Sequence, residues 1–386
     1  MFLSLNSGQM IGSIAGIYHP GYSPEAWQTY LMYLIIVILA ASIICLLPRA
    51  IPKAEIVMLA ATVLGFIASF VTLLAAQPQK QSGLAVFAKP FVNPSGFSDG
   101  TAFMIGQPIC MYAYMGLDGA THVTEETANP AREIPRALGF TMLIGILTAV
   151  PYTIAVLFAI TDSNAVAESS VPIYTVYLQA TRSRPAATVL TVWIIWIYFG
   201  AVVSCLLTAG RLAYAFSRDG GLPFSHFFAY VSRNGAPANG TLGCAILISL
   251  YGLIYIGSTT AFNSFINMAT LALNVSYAIP QAIVLLRGRE NALPKYPYPF
   301  RLGKYVGPAC NLFSFFWMLL MVVFACFPTQ VPTTPSSMNY VSVVICGLVL
   351  LIYLTWLGGK RKTFTGPVSF LESNVVVMRR KLTFIQ

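Results

Sequence analysis

Along the 386 residues, apolar positions follow neither the helical nor the strand period; they run together in blocks. Each block is about 20 residues long, the length a helix needs to cross roughly 30 Å of hydrocarbon, and short polar links separate them. Windows of that length predict spans at 27–47, 55–76, 101–118, 136–161, 189–210, 238–257, 264–286, 308–328 and 338–357. Because lipid offers no hydrogen-bond partner to open backbone, the expected fold is an all-α integral membrane bundle with nine full spans. The opening stretch, Met1 to Tyr18, is apolar but interrupted by Ser4, Asn6, Ser7 and Gln9, and reads as the second half of a further helix. One membrane domain, 1–357, is expected, followed by a tail at 358–386.

Composition changes this picture in two ways. Only 9% of the residues are charged against 57% hydrophobic, and the mean hydropathy is +0.73, which excludes an ordinary soluble enzyme. The net charge of +10 forms no patch for nucleic acid, because the basic residues are dealt out between the spans. On alternate loops lie Arg49 and Lys53, Arg132 and Arg136, Arg211, Arg218 and Arg233, the group from Arg287 to Lys304, and the tail residues Lys360, Arg361, Lys362, Arg379, Arg380 and Lys381. The other side has only Lys80, Lys89, Arg182 and Arg184 of the 22. By the positive-inside bias the rich side, tail included, is cytoplasmic, and the bilayer itself is a partner. The seven cysteines sit in apolar runs without CxxC spacing and suggest neither a metal site nor disulfides. Met1 to Tyr18 lacks a basic n-region and a cleavage site, so no cleavable signal peptide is expected.

The acids are where chemistry is expected. Glu25, Glu55, Asp99, Glu133, Asp162, Glu168, Asp219, Glu290 and Glu372 fall in loops, the tail or span ends. Asp118 differs: it follows about 17 apolar residues, in Met115-Gly116-Leu117-Asp118-Gly119-Ala120. A charge at membrane depth costs about 2.5 to 3.5 kcal/mol on insertion scales, so it needs a partner or a wet cavity. Gly116 and Gly119 weaken the helix at the same place, and Asp118 is a good N-cap for a helix restarting at Ala120. Either the span simply ends there, or the helix is broken within the membrane and presents bare N–H and C=O groups to a small polar solute. Beyond it, Glu125 and Glu126 are placed to pair with Arg132 or Arg136 as a cytoplasmic latch, although surface pairs of that kind contribute only about 0 to 1 kcal/mol. His122 reads as a neutral surface imidazole or a proton relay; His19 and His226 are in loops.

These residues carry a resemblance. Tyr112-Ala113-Tyr114-Met115-Gly116-Leu117-Asp118-Gly119-Ala120-Thr121-His122-Val123-Thr124-Glu125-Glu126, with Asn129-Pro130 and Ile134-Pro135-Arg136-Ala137, resembles the sixth helix and following loop of fungal amino acid permeases, in the choline and GABA permease-type branch of the amino acid, polyamine and organocation transporter superfamily. Ala213 to Ser225, Ser276-Tyr277-Ala278-Ile279-Pro280-Gln281 with Leu286 to Arg289, and Pro299 to Gly303 with Cys326-Phe327-Pro328 and Met338-Asn339-Tyr340, are similar to three further stretches of that family in the same order. Gly8-Gln9-Met10-Ile11, His19-Pro20 and Trp27-Gln28-Thr29 resemble the junction of its third and fourth helices, so helices one, two and part of three have no counterpart here.

The resemblance implies a bundle of the 5+5 inverted-repeat (leucine-transporter-like) type, incomplete at its start, and a secondary transporter moving choline, GABA or a related amine or amino acid by alternating access. Protons are the expected coupling ion rather than sodium, and the plasma membrane the expected location. Backbone around Tyr112, Tyr114, Gly116, Leu117, Asp118 and Gly119 would hold the substrate, with Asp118 facing an ammonium. The rings of Tyr112 and Tyr114 would either face a quaternary ammonium or serve in packing. Ser204 and Thr208 would line an ion site or bond their own helix backbone. Asn263, Asn267, Thr270 and Asn274 would form a gate or interhelical glue. No cofactor or metal is expected, and no HExxH, GxSxG or Walker A run supports a membrane-embedded enzyme. The competing expectation is a truncated relative without transport activity, or an incomplete gene model.

Overall fold

The computed structural model describes residues 1–19, 21–88, 93–232, 234–292, 300, 302–335 and 338–364, with the side chains of Val123, Glu125, Glu126 and Glu290 outside the description. These residues form helices and, among them, no strand. In chain order they are α1 (Phe2–Tyr18), α2 (Ala26–Leu46), α3 (Ile51–Ala75), α4 (Gly83–Phe87), α5 (Asp99–Cys110), α6 (Pro130–Ala159), α7 (Ser163–Glu168) and α8 (Pro172–Thr181). There follow α9 (Arg184–Arg218), α10 (Ser225–Phe228), α11 (Ala238–Gly257), α12 (Thr259–Arg287), α13 (Arg289–Ala292), α14 (Gly303–Phe324), α15 (Val341–Thr355) and α16 (Arg361–Thr363).

Eight segments are long and apolar enough to cross a bilayer, namely α2, Pro48–Ala75 including α3, α6, α9, α11, α12, α14 and Val341–Thr363 beginning with α15. Each overlaps an expected span, and most of their surface faces outward: only 11% of the apolar window of α6 or α14 is buried. Leu59, Leu64, Phe140, Leu147, Phe313 and Leu350 are among the large side chains exposed there, as lipid contact requires. The ninth expected span, 101–118, is not one helix. It stops at Cys110 and continues as two 3-10 segments, Met111–Tyr114 and Leu117–Glu126.

The bundle is organised on α9, which at 35 residues is longer than a membrane is thick. Local signals set its start: the Ser183 side chain accepts from the Ala186 N–H, and Pro185, in the first turn, needs no partner for an N–H it lacks. One buried cluster joins α1, α2, α9, α11 and α12 through Leu5, Tyr33, Ile44, Val203, Leu206, Ala245 and Phe262. A second joins α3, α6, α8 and α9 through Leu73, Ala155, Tyr174, Tyr177 and Ala187.

Lipid tails are as apolar as leucine, so burial alone does not drive these contacts; close packing and hydrogen bonds must. Both are present. A side chain on Gly240 would put its Cβ 2.9 Å from the Gly210 carbonyl oxygen, so α9 and α11 approach backbone to backbone there. The fully buried Tyr33 donates its hydroxyl to the Ile248 carbonyl at 2.6 Å, Tyr30 to that of Ser249 at 3.1 Å, and Trp193 its indole N–H to that of Ala61 at 3.1 Å. Each ties two spans together, α2 to α11 and α9 to α3.

Candidate functional site

The break between α5 and the following 3-10 turns has identifiable causes. Pro108 lies inside α5 and supplies no N–H to the turn before it. The chain tightens to 3-10 over Met111–Tyr114, extends at Met115 with ψ 131°, and reverses at Gly116, whose φ of +93° is left-handed. Only glycine takes that φ without strain, and a Cβ at Gly116 would meet nothing within 4 Å, so bare backbone borders open space. Either a helix end or a broken helix was expected here from Gly116, Asp118 and Gly119, and the interruption instead has its causes in Pro108 and Gly116. The expected second glycine does something else: Gly119 is packed toward α9, where a Cβ would lie 3.9 Å from Thr208 Oγ1.

Asp118 is not the expected N-cap. It sits in the first turn of the 3-10 segment, which begins at Leu117 rather than Ala120, and its carboxylate turns sideways. The Tyr277 hydroxyl of α12 donates to Asp118 Oδ2 at 2.7 Å, and His122 Nε2 lies 3.3 Å from the same oxygen. With about a fifth of its side chain exposed, the acid is held between two helices and remains accessible. His122, expected as a neutral surface group or a proton relay, is a partner of this carboxylate. The Thr121 hydroxyl donates to the Asp118 carbonyl at 2.7 Å and the Thr124 hydroxyl to that of Thr121, which keeps the 3-10 ladder supplied.

The two tyrosines do not form a joint wall. Tyr112 donates its hydroxyl to the Ile266 carbonyl of α12 at 2.8 Å, lies 3.4 Å from Asn267 Oδ1, and packs its ring against Phe2. Tyr114 instead lies on α6, where a Cβ on Gly145 would touch its ring at 2.8 Å. Leu117 opens the second 3-10 segment and is partly buried.

Asn274 donates to the Thr270 carbonyl at 3.1 Å, whereas the buried Thr270 hydroxyl has no hydrogen-bond partner among the described residues. Thr270 borders a small hollow of about 60 Å³ with Tyr112, Asn267, Phe327 and Asn339. Thr208 donates to the Ser204 carbonyl at 2.9 Å, so its hydroxyl serves its own helix. Ser204 does not: its Oγ lies 2.7 Å from Glu55 Oε1, on α3, as well as 3.1 Å from the Gly200 carbonyl.

At the end of the site, Arg136 pairs with Glu133 at 3.6 Å, with both side chains about half exposed. Arg132 is exposed on the first turn of α6, and the side chains of Glu125 and Glu126 lie outside the description. A larger hollow, about 630 Å³, lies between α3, α6, α8 and α9, walled by Phe66, Tyr152, Tyr177, Trp193 and Tyr198. It touches none of residues 110–126 and offers a cation no carboxylate, so its size does not make it the site. Among the described residues no group of three His, Cys, Asp or Glu is placed to hold a metal ion.

Three residues of this arrangement escaped the sequence reading. Tyr277 appeared only inside a motif, Glu55 was taken as a span-end acid, and Pro108 was passed over. Glu55 had a visible signal, since no other charge follows it in the apolar run to Ala76.

Known proteins resemble the chain along most of its length. Residues 1–350 match the family described as amino acid permease. The choline transporter of Saccharomyces cerevisiae is 33% identical over 358 residues, 91% of this chain and 62% of its own length. A putative amino acid/polyamine transporter of Macrophomina phaseolina is 31% identical, covering 87% of this chain and 75% of the relative, and a swainsonine transporter of Arthroderma benhamiae is 31% identical, covering 89% and 68%. The chain belongs to the amino acid permease family and is an integral, multi-pass membrane protein, not an enzyme.

Proposed function

We propose that this chain is the substrate-holding part of a secondary active transporter for small amines or amino acids, working by alternating access and coupled to protons. The observation that carries the reading is the constellation at 115–119. Backbone at Gly116, its carbonyl accepting from the Gly119 N–H at 3.0 Å, borders open space beside a carboxylate that is oriented, but not neutralised, by Tyr277. A cation gains most from such a site, because among the described residues no Lys or Arg forms an ion pair with Asp118 and the surroundings screen charge weakly. The names of the relatives, a choline transporter and an amino acid/polyamine transporter, favour a cationic head group. In this reading Arg132 and Arg136 with Glu125 and Glu126 close the inner end, and Asn267 and Thr270 lie where α12 meets the break. The face rich in Lys and Arg, with the tail 358–386, is cytoplasmic and the membrane is the plasma membrane.

The test is binding, which needs no completed transport cycle. Radiolabelled choline is equilibrated with the purified chain in lipid nanodiscs, alongside Asp118→Asn. A hydrogen bond or pair to a charged group is worth about 1.5 to 3 kcal/mol, so the variant is expected to lose tenfold or more in affinity while folding normally. Equal affinity in the two proteins refutes the role of Asp118.

A further inference from the structure

The stretch Ala213 to Ser225, one of those that resemble the permease family, carries the end of α9, and the helix stops there on a glycine cap. The Gly220 N–H donates to the Ser217 carbonyl at 2.9 Å and that of Gly221 to the Phe216 carbonyl at 2.9 Å, with Gly220 left-handed at φ +76°. That cap serves carbonyls of the last helical turn. The carbonyls of Gly220 and Leu222 lie past it, just beyond the negative end of a 35-residue helix.

Three oxygens converge there on one cation. Lys360 Nζ donates to the Gly220 carbonyl at 3.1 Å, to the Leu222 carbonyl, and to Ser225 Oγ at 3.4 Å. The Ser225 hydroxyl gives its own hydrogen to the Leu222 carbonyl, which leaves its lone pairs to the lysine. An ammonium has three N–H donors and no acceptor, and this cup supplies three acceptors and no competing donor. Asp219, next to Gly220, is paired with Arg218 at 3.3 Å, and among the described residues no carboxylate joins the cup. Neutral acceptors grip a cation through its N–H groups, in charge-assisted hydrogen bonds, so the cup distinguishes an ammonium that can donate from one that cannot.

The chain that delivers Lys360 is shaped for the meeting. Beyond α15 the helix widens into a π turn, Trp356–Lys360, in which Gly359 leaves the helical range at φ +134°. The residues that follow come back onto the loop: a Cβ on Gly220 would lie 2.9 Å from the Thr363 carbonyl oxygen. Phe364, half-buried, sets its ring 5.9 Å from that of Phe216 on α9 and 6.4 Å from that of Trp356. The contact therefore has a polar point at Lys360 and an apolar one at Phe364.

We infer that the turn 219–225 is a binding site for a primary ammonium, filled by the chain's own Lys360, and that it clasps the root of the tail to the end of α9. Helix α9 also packs Thr208 toward Gly119, so the clasp joins α15 to the helix on which the candidate site rests. The inference is independent of what the chain transports, and so is its test. Lys360→Ala is purified in nanodiscs, and amide exchange over 216–225 and 356–364 is followed by mass spectrometry. Exchange at Gly220, Gly221 and Phe364 should rise on the order of tenfold over the parent, as the loss of hydrogen bonds to a charged group implies. Propylammonium, which supplies the atoms that the substitution removes, should bring the rates back. Propyltrimethylammonium, with the same charge and no N–H, should not. Parent-like exchange in Lys360→Ala overturns the inference, and so does rescue by both ions or by neither. Should Lys360→Ala fail to fold, Lys360→Met keeps the apolar stem and loses the ammonium, and parent-like exchange in that variant overturns the inference as well.

Discussion

Helix α9 and the segment 99–126 are both apolar stretches carrying glycines, yet the first runs unbroken for 35 residues while the second comes apart at Cys110. Beside Pro108, the difference lies in what surrounds the glycines. Gly200 and Gly210 of α9 are pressed against Met58 of α3 and Thr241 of α11, so their missing side chains are the space the neighbours occupy, and that packing holds the helix straight. Gly116 has nothing within 4 Å and uses its freedom in the backbone instead, adopting φ +93°. The same residue type serves as a packing device where neighbours are close and as a hinge where they are not.

The largest expected effect comes from filling the packed glycines. Gly210→Val would drive a side chain into Thr241 and the α11 backbone, and overpacking of that kind costs about 1 to 3 kcal/mol or more. The expected outcome is a marked loss of thermal stability, followed by tryptophan fluorescence in detergent, and a variant as stable as the parent would break the comparison. Gly116→Ala meets no atom but places a Cβ on a left-handed residue, at about 1 to 2 kcal/mol. It should therefore fold with modest destabilisation and, on the proposed reading that the solute grips the open turn, weaken choline binding severalfold. Stability unchanged in both variants would mean that the turn is not left-handed in solution.

A smaller change sharpens the picture on the acid's side. Tyr277→Phe removes one donor from Asp118 and leaves His122, a loss of about 1 kcal/mol in orienting the carboxylate. Choline affinity should drop less than in Asp118→Asn, and an equal or larger drop would show that the phenol, not the acid, makes the contact. The least perturbing test is Pro108→Ala, which restores an N–H to α5. If Pro108 helps to end the helix, amide exchange around Met104 to Tyr112 should slow in the variant; identical exchange would assign the break to Gly116 alone.

How much of this was legible in the residues depends on the range of the forces involved. The spans could be read because lipid tests each stretch of chain by itself, and α11 at Ala238–Gly257 coincides with its expected limits. The break could be read in outline from Asp118 and its glycines, since a local cost and a local weakness coincide there. The partner of Asp118 could not, because Tyr277 is 159 residues away and nothing near it in sequence advertises the meeting. Ring directions were equally hidden: Tyr112 and Tyr114 are two positions apart, yet one hydrogen-bonds α12 and the other packs on α6. Glu55 was placed by depth alone, which says how costly a charge is and not which helix it faces.

From its own composition and order, then, the chain determined that it crosses a membrane many times, where the crossings fall, and that one of them is costly to keep helical at Asp118. Those properties follow from solvation and backbone preference, which act residue by residue. Only the tertiary structure decided that Asp118 meets Tyr277 and His122, that Glu55 meets Ser204, and that Tyr112 and Tyr114 pack on different helices. Hydrogen bonds act over about 3 Å, and which groups come that close is settled by how whole helices pack.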